Sequence, residues 1–242
     1  MKRKREKARA AGHPLNNLIL RGIPADEFQR IEPHLQHVAL RVGDSLHNPA
    51  RPVAHLYFLN SGLASLLVDG GPAKSVEIGI AGREGLTGVS AVAGLRRSIH
   101  RAVVQIPGDA FRISVSVLAT ILASTPVLAQ KANLFAAVQS MQFAQTAACN
   151  RLHHIGERLA RWLLMTADRV GSSSIAVTHD FLSIMLGTDR PSVTESAISL
   201  QDYGAIRYAR GSLRILNRRK LESRACECYR VLRPFNRALG LA

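Results

Sequence analysis

The sequence predicts an α+β protein in three parts: a roll of short β-strands, one long helix, and a compact unit of two helices and a hairpin. Three observations predict it. Ten of the eighteen glycines fall between Gly43 and Gly108, where short apolar runs alternate with turns. From Leu134 to Trp162 apolar residues recur at alternating spacings of four and three. Between Thr178 and Leu216 two short helical patterns meet at a glycine and run into an alternating hairpin.

Taken in order, residues 1–14 are charged, small and without apolar period, and predict a basic disordered arm. A short helical pattern follows, with Phe28, Ile31 and Leu35 on one face. The runs Val38–Val42, His55–Asn60, Leu63–Val68, Ser75–Ile80, Ile99–Ile106 and Phe111–Val115 then predict a jelly roll, the whole spanning residues 15–125. Residues 126–153 predict a dimerisation helix and hinge. Leu134, Val138, Met141, Gln145, Ala148 and Leu152 form a heptad seam of the kind that packs on a partner helix, although a helix in a monomer's core can keep the same spacing for two or three heptads. The polar Gln145 sets register and the small Ala148 permits close approach. The same period continues through Ile155, Leu159 and Trp162, which turn into the core of a C-terminal unit over residues 154–224. Asn150–Gly156 is the natural hinge, and residues 225–242 are left as a tail.

In the C-terminal unit Thr178 can cap a helix whose apolar residues are Phe181, Leu182, Met185 and Leu186. Gly187 supplies the positive φ that ends it. Asp189 can cap a second helix with Pro191 in its first turn, where a missing N–H costs nothing. Val193, Ala197 and Leu200 fall on one face of that helix and Pro191, Thr194, Glu195 and Ile198 on the other. Ile206, Tyr208, Leu213 and Ile215 alternate around Arg210-Gly211 as a hairpin would. Helix, turn, helix and wing is an arrangement that reads DNA.

Composition agrees. The formal charge is +15 and the pI near 10.9, which points to a polyanionic partner. The excess sits at the two ends: six basic against one acidic residue in 1–12, and fifteen against eight in 151–242. No apolar run approaches the roughly 18 residues of a membrane span. Leu18-Ile19-Leu20 is too short for a signal-peptide core, so a cytoplasmic protein is expected. The three cysteines, Cys149, Cys226 and Cys228, suit a reducing compartment rather than a disulfide scaffold.

Over residues 17–224 the chain resembles the Crp/Fnr transcription regulators. The resemblance rests on Arg158-Leu159-Ala160-Arg161-Trp162-Leu163-Leu164, Thr178-His179-Asp180-Phe181-Leu182, Met185-Leu186-Gly187 and Asp189-Arg190-Pro191-Ser192-Val193-Thr194. The hairpin Ile206-Arg207-Tyr208-Ala209-Arg210-Gly211-Ser212 adds to it. In the roll, Tyr57-Phe58-Leu59-Asn60-Ser61-Gly62 and Gly82-Arg83-Glu84-Gly85-Leu86 look like the family's paired turns. The resemblance implies a cyclic-nucleotide-binding-like sensor roll, a long dimer helix and a winged helix-turn-helix that binds double-stranded DNA. It implies no enzymatic activity, and RNA polymerase as a partner if the chain activates.

The resemblance places Arg190 in the major groove, where its planar fork can bond O6 and N7 of one guanine for about 1–3 kcal/mol of discrimination. Thr194, on the same groove face, is short enough for a thymine methyl or a phosphate, and Glu195 can accept from a cytosine N4 or be a plain surface residue. Thr178, Ser192, Arg210 and Ser212 are expected on phosphates, which position rather than specify. Arg218, Arg219 and Lys220 join them or form a solvated face. Where well-studied relatives carry Glu after the arginine and a second Arg five positions after the first, this chain has Pro191 and Glu195, so its half-site must differ.

The sensor end departs further. The family's cyclic-nucleotide pocket pairs a glycine with a following glutamate for the ribose, then an Arg-Ser pair for the phosphate. Glu84 and Gly85 stand in reversed order before Leu86, Arg97 and Ser98 follow at about the right distance, and Phe143-Ala144 replace the adenine-contacting Thr-Ser. A leucine cannot accept a hydroxyl bond, so cyclic AMP is not expected and no cofactor is predicted. Arg83, Arg96, Arg97 and Arg101 hold some other anion, or Arg97 is simply exposed; the sequence favours neither. An iron–sulfur cluster needs about four thiolates, and the three cysteines lack a clustered fourth ligand, so no metal site is expected. His153 and His154 are adjacent and diverge on a helix, which suits surface or capping roles.

Two rivals remain: a cupin-like metalloenzyme, or a roll that binds a protein partner. His47, His55 and His100 are too widely separated for a cupin cluster, no Gly-x-Ser-x-Gly elbow occurs, and the basic C-terminal half argues against a roll acting alone. No catalytic residue is assigned. The expectation is a homodimeric regulator on a palindromic operator. Arg190→Ala should then abolish preference for specific over random duplex, while Arg210→Ala should weaken both alike and flatten the salt dependence. Titration of both duplexes across salt checks this; an Arg190→Ala protein with unchanged preference would refute the assignment.

Overall fold

A computed structural model describes residues 9–241 apart from 11, 72–74 and 210. At its start β1 (Arg9–Ala10) and β2 (His13–Pro14) form a small antiparallel pair. Ala10 is buried there, so the end of the expected disordered arm is ordered. Helices α1 (Leu18–Arg21) and α2 (Ala25–Ile31) follow. The Asn17 amide pins α1 to the roll, donating 2.8 Å bonds to the carbonyls of Leu59 and Gly85.

The roll consists of β3 (Gln36–Leu40), β4 (Ser45–His47), β5 (His55–Leu59), β6 (Leu63–Asp69), β7 (Ser75–Ala81), β8 (Leu86–Thr87), β9 (Arg101–Ile106) and β10 (Gly108–Ser114). These build two four-stranded antiparallel sheets, ordered β3-β10-β5-β8 and β4-β9-β6-β7. Their alternation turns Leu56, Phe58, Leu66, Phe111 and Ile113 inward. Helix α3 (Val115–Ile121) leads into α4 (Pro126–Leu152), 27 residues long. Phe135 of α4 enters the roll beside Gly85, where any β-carbon would collide with its ring.

At His153 the backbone turns extended and α4 ends; α5 (Ile155–Val170) begins after His154. The expected hinge is therefore a two-residue break. The C-terminal unit is α5, β11 (Ser174–Ala176), α6 (His179–Leu186), α7 (Arg190–Asp202), β12 (Ile206–Ala209) and β13 (Ser212–Ile215), then α8 (Arg218–Arg224). Its three strands pair in the order β11-β13-β12. Thr178 caps α6, Gly187 ends it at φ +57°, and Asp189 caps α7 through Ser192 N–H at 2.8 Å. Leu159, Trp162, Leu182, Val193, Leu200 and Leu213 meet in its core. The last segment is no loose tail: α9 (Cys228–Ala238) buries Tyr229 and Leu232 against the same core and also packs on α4.

Roll and C-terminal unit share that core, since Leu63, Leu67 and Ile80 of β6 and β7 join it. Two carboxylates of the roll fasten α5. Glu84, fully buried, accepts from Arg169 Nε at 2.7 Å. Glu77 accepts from Trp162 Nε1 at 2.9 Å and its other oxygen lies 2.6 Å from Ser65 Oγ. Ser65 also bonds Gln105 Oε1. One hydroxyl proton cannot serve two acceptors, and a protonated Glu77 satisfies this arrangement: Trp162 to Glu77, Glu77 to Ser65, Ser65 to Gln105. Burial raises the Glu77 pKa from 4.5 to about 7 against its hydrogen bonds and the charges of Arg161 and Arg169.

A carboxyl held protonated by the fold contributes its full stability below pH 4.5 and loses it as pH rises through about 7. That loss amounts to about 3 kcal/mol at about 1.4 kcal/mol per unit. Glu77→Gln copies the protonated form, because its amide donates to Ser65 and its oxygen accepts from Trp162. The variant should match wild type in thermal midpoint near pH 5 and exceed it by several degrees at pH 8. A constant difference across that range would refute the buried proton.

Candidate nucleic-acid interface

The first turn of α7 projects from the C-terminal unit with its side chains in solvent. Arg190 and Glu195 are exposed, Arg190 reaching Asp180 Oδ1 at 3.3 Å in a surface pair open to water on both sides. Such a pair holds Arg190 weakly and releases it to a better acceptor. The orientation follows from the opposite face: buried Val193, Ala197 and Leu200 lock against α5 and α6, leaving Pro191, Glu195 and Ile198 outward.

Thr194 is different. Its hydroxyl donates to the Arg190 carbonyl at 3.0 Å and lies 2.9 Å from His179 Nδ1. With the hydroxyl proton used inside the helix, His179 must donate to Thr194, so the hydroxyl has no proton left for a phosphate and the methyl is what remains for the expected thymine contact. His179, which carries no signal of its own in the sequence, also stacks on Tyr208 of the wing, ring centres 4.2 Å apart. The Tyr208 hydroxyl donates to the Val177 carbonyl at 3.2 Å. Burial and the neighbouring Arg190 lower the His179 pKa, which keeps the imidazole neutral at neutral pH. One ring thus couples α6, α7 and the wing.

Among the expected phosphate contacts, Thr178 and Ser192 both belong to caps. Thr178 Oγ1 accepts from Phe181 N–H at 3.2 Å, and Ser192 Oγ donates to Asp189 at 3.0 Å. The Thr178 hydroxyl proton stays available, whereas that of Ser192 is committed to Asp189. Ser212 is exposed at the start of β13; Arg210 lies outside the described residues. Arg218 is a scaffold residue, bonded to Asp168 at 2.7 Å and to Glu222 at 3.0 Å. Lys220 donates to the Tyr203 carbonyl at 2.9 Å, and Arg224 lies over the Tyr203 ring.

The expected effector pocket is corrected more heavily. Glu84 is spent on Arg169, and Gly85 yields its space to Phe135. Arg97 is exposed, and Ser98 Oγ bonds His100 Nδ1 at 3.0 Å. The other arginines disperse: Arg101 pairs with Asp69 at 3.2 Å, while Arg83 lines a cleft of about 610 Å³ against the C-terminal unit. What the roll does bury is His47, its two ring nitrogens without hydrogen-bond partners, edge-on to His100, which in turn meets Phe143. Desolvation, with the His100 charge behind it, lowers the His47 pKa to about 4. No spacing in the sequence pairs His47 with His100, because only the β4–β9 ladder brings them together.

The seam on α4 is shifted. Leu134, Met141, Ala148 and Leu152 are exposed as expected, but Val138 is buried within the protomer and Gln145 bonds Cys228 Sγ of α9 at 3.0 Å. Because α9 occupies that side, the open face runs through Leu134, Ala137, Met141, Ala144, Ala148 and Leu152. No charged side chain occurs between Lys131 and Arg151.

Residues 157–224 match the family model of the Crp-like helix-turn-helix domain. No curated protein matches the chain. Among solved structures, FixK2 from Bradyrhizobium japonicum is 14% identical with a TM-score of 0.68, covering 79% of this chain and 98% of its own. The c-di-GMP-responsive global regulator CLP of Xanthomonas campestris is 14% identical at TM-score 0.66, covering 80% and 100%. A Crp-family transcriptional regulator from Thermus thermophilus is 17% identical at TM-score 0.63, covering 78% and 96%. These identities carry the fold, and the matched domain carries the family. Residues 157–224 thus belong to the Crp-like helix-turn-helix domains, and the chain as a whole has the fold of the Crp/Fnr transcription regulators to which it is similar.

Proposed function

We propose that the protein binds a two-fold symmetric operator as a homodimer, α7 of each protomer lying in the major groove with Arg190 as its principal base contact. The observation that carries this reading is the pairing of an outward, lightly held Arg190 with an uncharged helix face on the same chain. Leu134, Met141 and Leu152 stand exposed along α4, separated by Ala137, Ala144 and Ala148, and a second copy of the same helix offers an equally uncharged face to pack on it. Two copies related by a two-fold axis set half-sites about one helical turn, about 34 Å, apart. No single helix among the described residues is long and apolar enough to cross a membrane; the proposed site of action is the cytoplasm. RNA polymerase is the partner if the protein activates.

For the sensor, the roll supports an effector met by His47, Ser98, His100 and Phe143 rather than by Glu84. His47 carries that reading, as a buried imidazole with neither ring nitrogen hydrogen-bonded among the described residues. Cyclic AMP is not the effector of this reading: Leu86 stands where a ribose-binding carboxylate is expected, and the neighbouring Glu84 pairs with Arg169.

Met141→Glu places a charge on the α4 face and should convert the dimer to a monomer in sedimentation analysis. Its affinity for a full operator should fall about 100-fold or more while half-site binding persists. A variant that stays dimeric, or a wild type that is monomeric at micromolar concentration, would overturn the assembly.

A further inference from the structure

The break between α4 and α5 is covered by the start of α9, and four ligand-type side chains converge there. Cys149 comes from the last turn of α4, His153 caps that helix, and Cys226 and Cys228 flank the turn into α9. Cys149 Sγ lies 3.5 Å from Cys226 Sγ, and Cys228 Sγ lies 3.6 Å from His153 Nδ1. All four ligand atoms fall within 4.8 Å of one another. The cysteines are buried and pack as a cluster of their own, apart from both hydrophobic cores. The sequence shows three thiols lacking a fourth partner; the fold supplies it by ending α4 at His153, which turns that imidazole inward while His154 caps α5.

The dimensions suit one tetrahedral ion. Bonds of about 2.3 Å to sulfur and about 2.0 Å to nitrogen put ligand atoms about 3.5–3.8 Å apart. An iron–sulfur cluster interposes several irons and sulfides between its thiolates and spreads them further. The surroundings are also those of a metal site. Glu227 accepts from His153 Nε2 at 3.0 Å, so the proton sits on Nε2 and the Nδ1 lone pair faces the sulfurs. Gln145 donates to Cys228 Sγ at 3.0 Å. Arg158 and Arg161, both buried on α5, stand within electrostatic reach of Cys149, and each leaves its Nε without a partner. Three thiolates around a divalent ion carry one net negative charge, which these guanidinium groups offset.

We propose that Cys149, His153, Cys226 and Cys228 form a Cys₃His site for a single zinc-class divalent ion that clasps α9 to the joint between the long helix and the DNA-binding domain. Binding replaces three thiol protons by the metal, releases those protons to solvent, and transfers no electrons. The site does not depend on the operator reading, since metal content is measured without DNA.

The test uses the full chain purified without chelator from zinc-supplemented cells. Elemental analysis should find one zinc per chain, and cobalt exchanged into it should give tetrahedral d–d bands with thiolate-to-cobalt charge transfer. Glu227 is a surface side chain, 65% exposed, so Glu227→Ala folds; it should weaken zinc about 10- to 100-fold in a competition titration, as loss of such an orienting carboxylate does. Cys228→Ser should lose the cobalt spectrum. Three freely titrating thiols with no metal, a Cys149–Cys226 disulfide in protein handled without oxygen, or iron with acid-labile sulfide would each overturn the proposal.

Discussion

The arrangement of the molecule depends on two carboxylates of the roll that α5 cannot do without. Glu84 and Arg169 form a dry ion pair, and Glu77 receives the indole proton of Trp162. Charges so buried are tolerated only when each has its partner; removing one member of such a pair costs about 3–5 kcal/mol. Around them Leu63, Leu67 and Ile80 of the roll merge with Leu163 and Ile175 of the C-terminal unit into one apolar mass. The DNA-binding domain is therefore seated on the roll by polar contacts whose geometry is strict and by apolar contacts whose area is large.

That seat explains the fate of the sensor residues. A glutamate next to a glycine in a roll of this type invites a ligand, but here the ligand is the protein's own Arg169. The Glu84–Arg169 contact lies in the last turn of α5, about 20 Å along the helix from the α4–α5 break. The proposed Cys₃His cluster stands at the break itself, so α5 has an anchor near each end.

Much of this is legible in the sequence, for identifiable reasons. Strands β5, β6, β7 and β9 are apolar runs bounded by turn residues, and the caps at Thr178, Gly187 and Asp189 are local rules written within four residues. The three-residue β4 and β11 carry no period long enough to see. Periodicity puts Thr194 on the right face of α7, yet the inward turn of its hydroxyl depends on His179, fifteen residues earlier. Val138 and Gln145 fit the heptad, but a heptad does not say which of its sides a later helix will cover. α9 covers one, and its pattern, interrupted by Pro234, reads as a tail. The fourth ligand of the cysteine cluster hides for a related reason: a helical wheel sends His153 and His154 apart, and it is the end of the helix between them that turns one inward.

The stack of His179 on Tyr208 joins the groove-facing helix to the wing through one planar contact, with Thr194 and Val177 holding its rims. A reading head braced in this way keeps a fixed angle between its two DNA-touching parts. The duplex, not the protein, must then do the conforming. On the proposed operator, base steps that bend or change groove width cheaply are then favoured even where no side chain reaches them, so selectivity takes in the mechanical character of the flanking DNA.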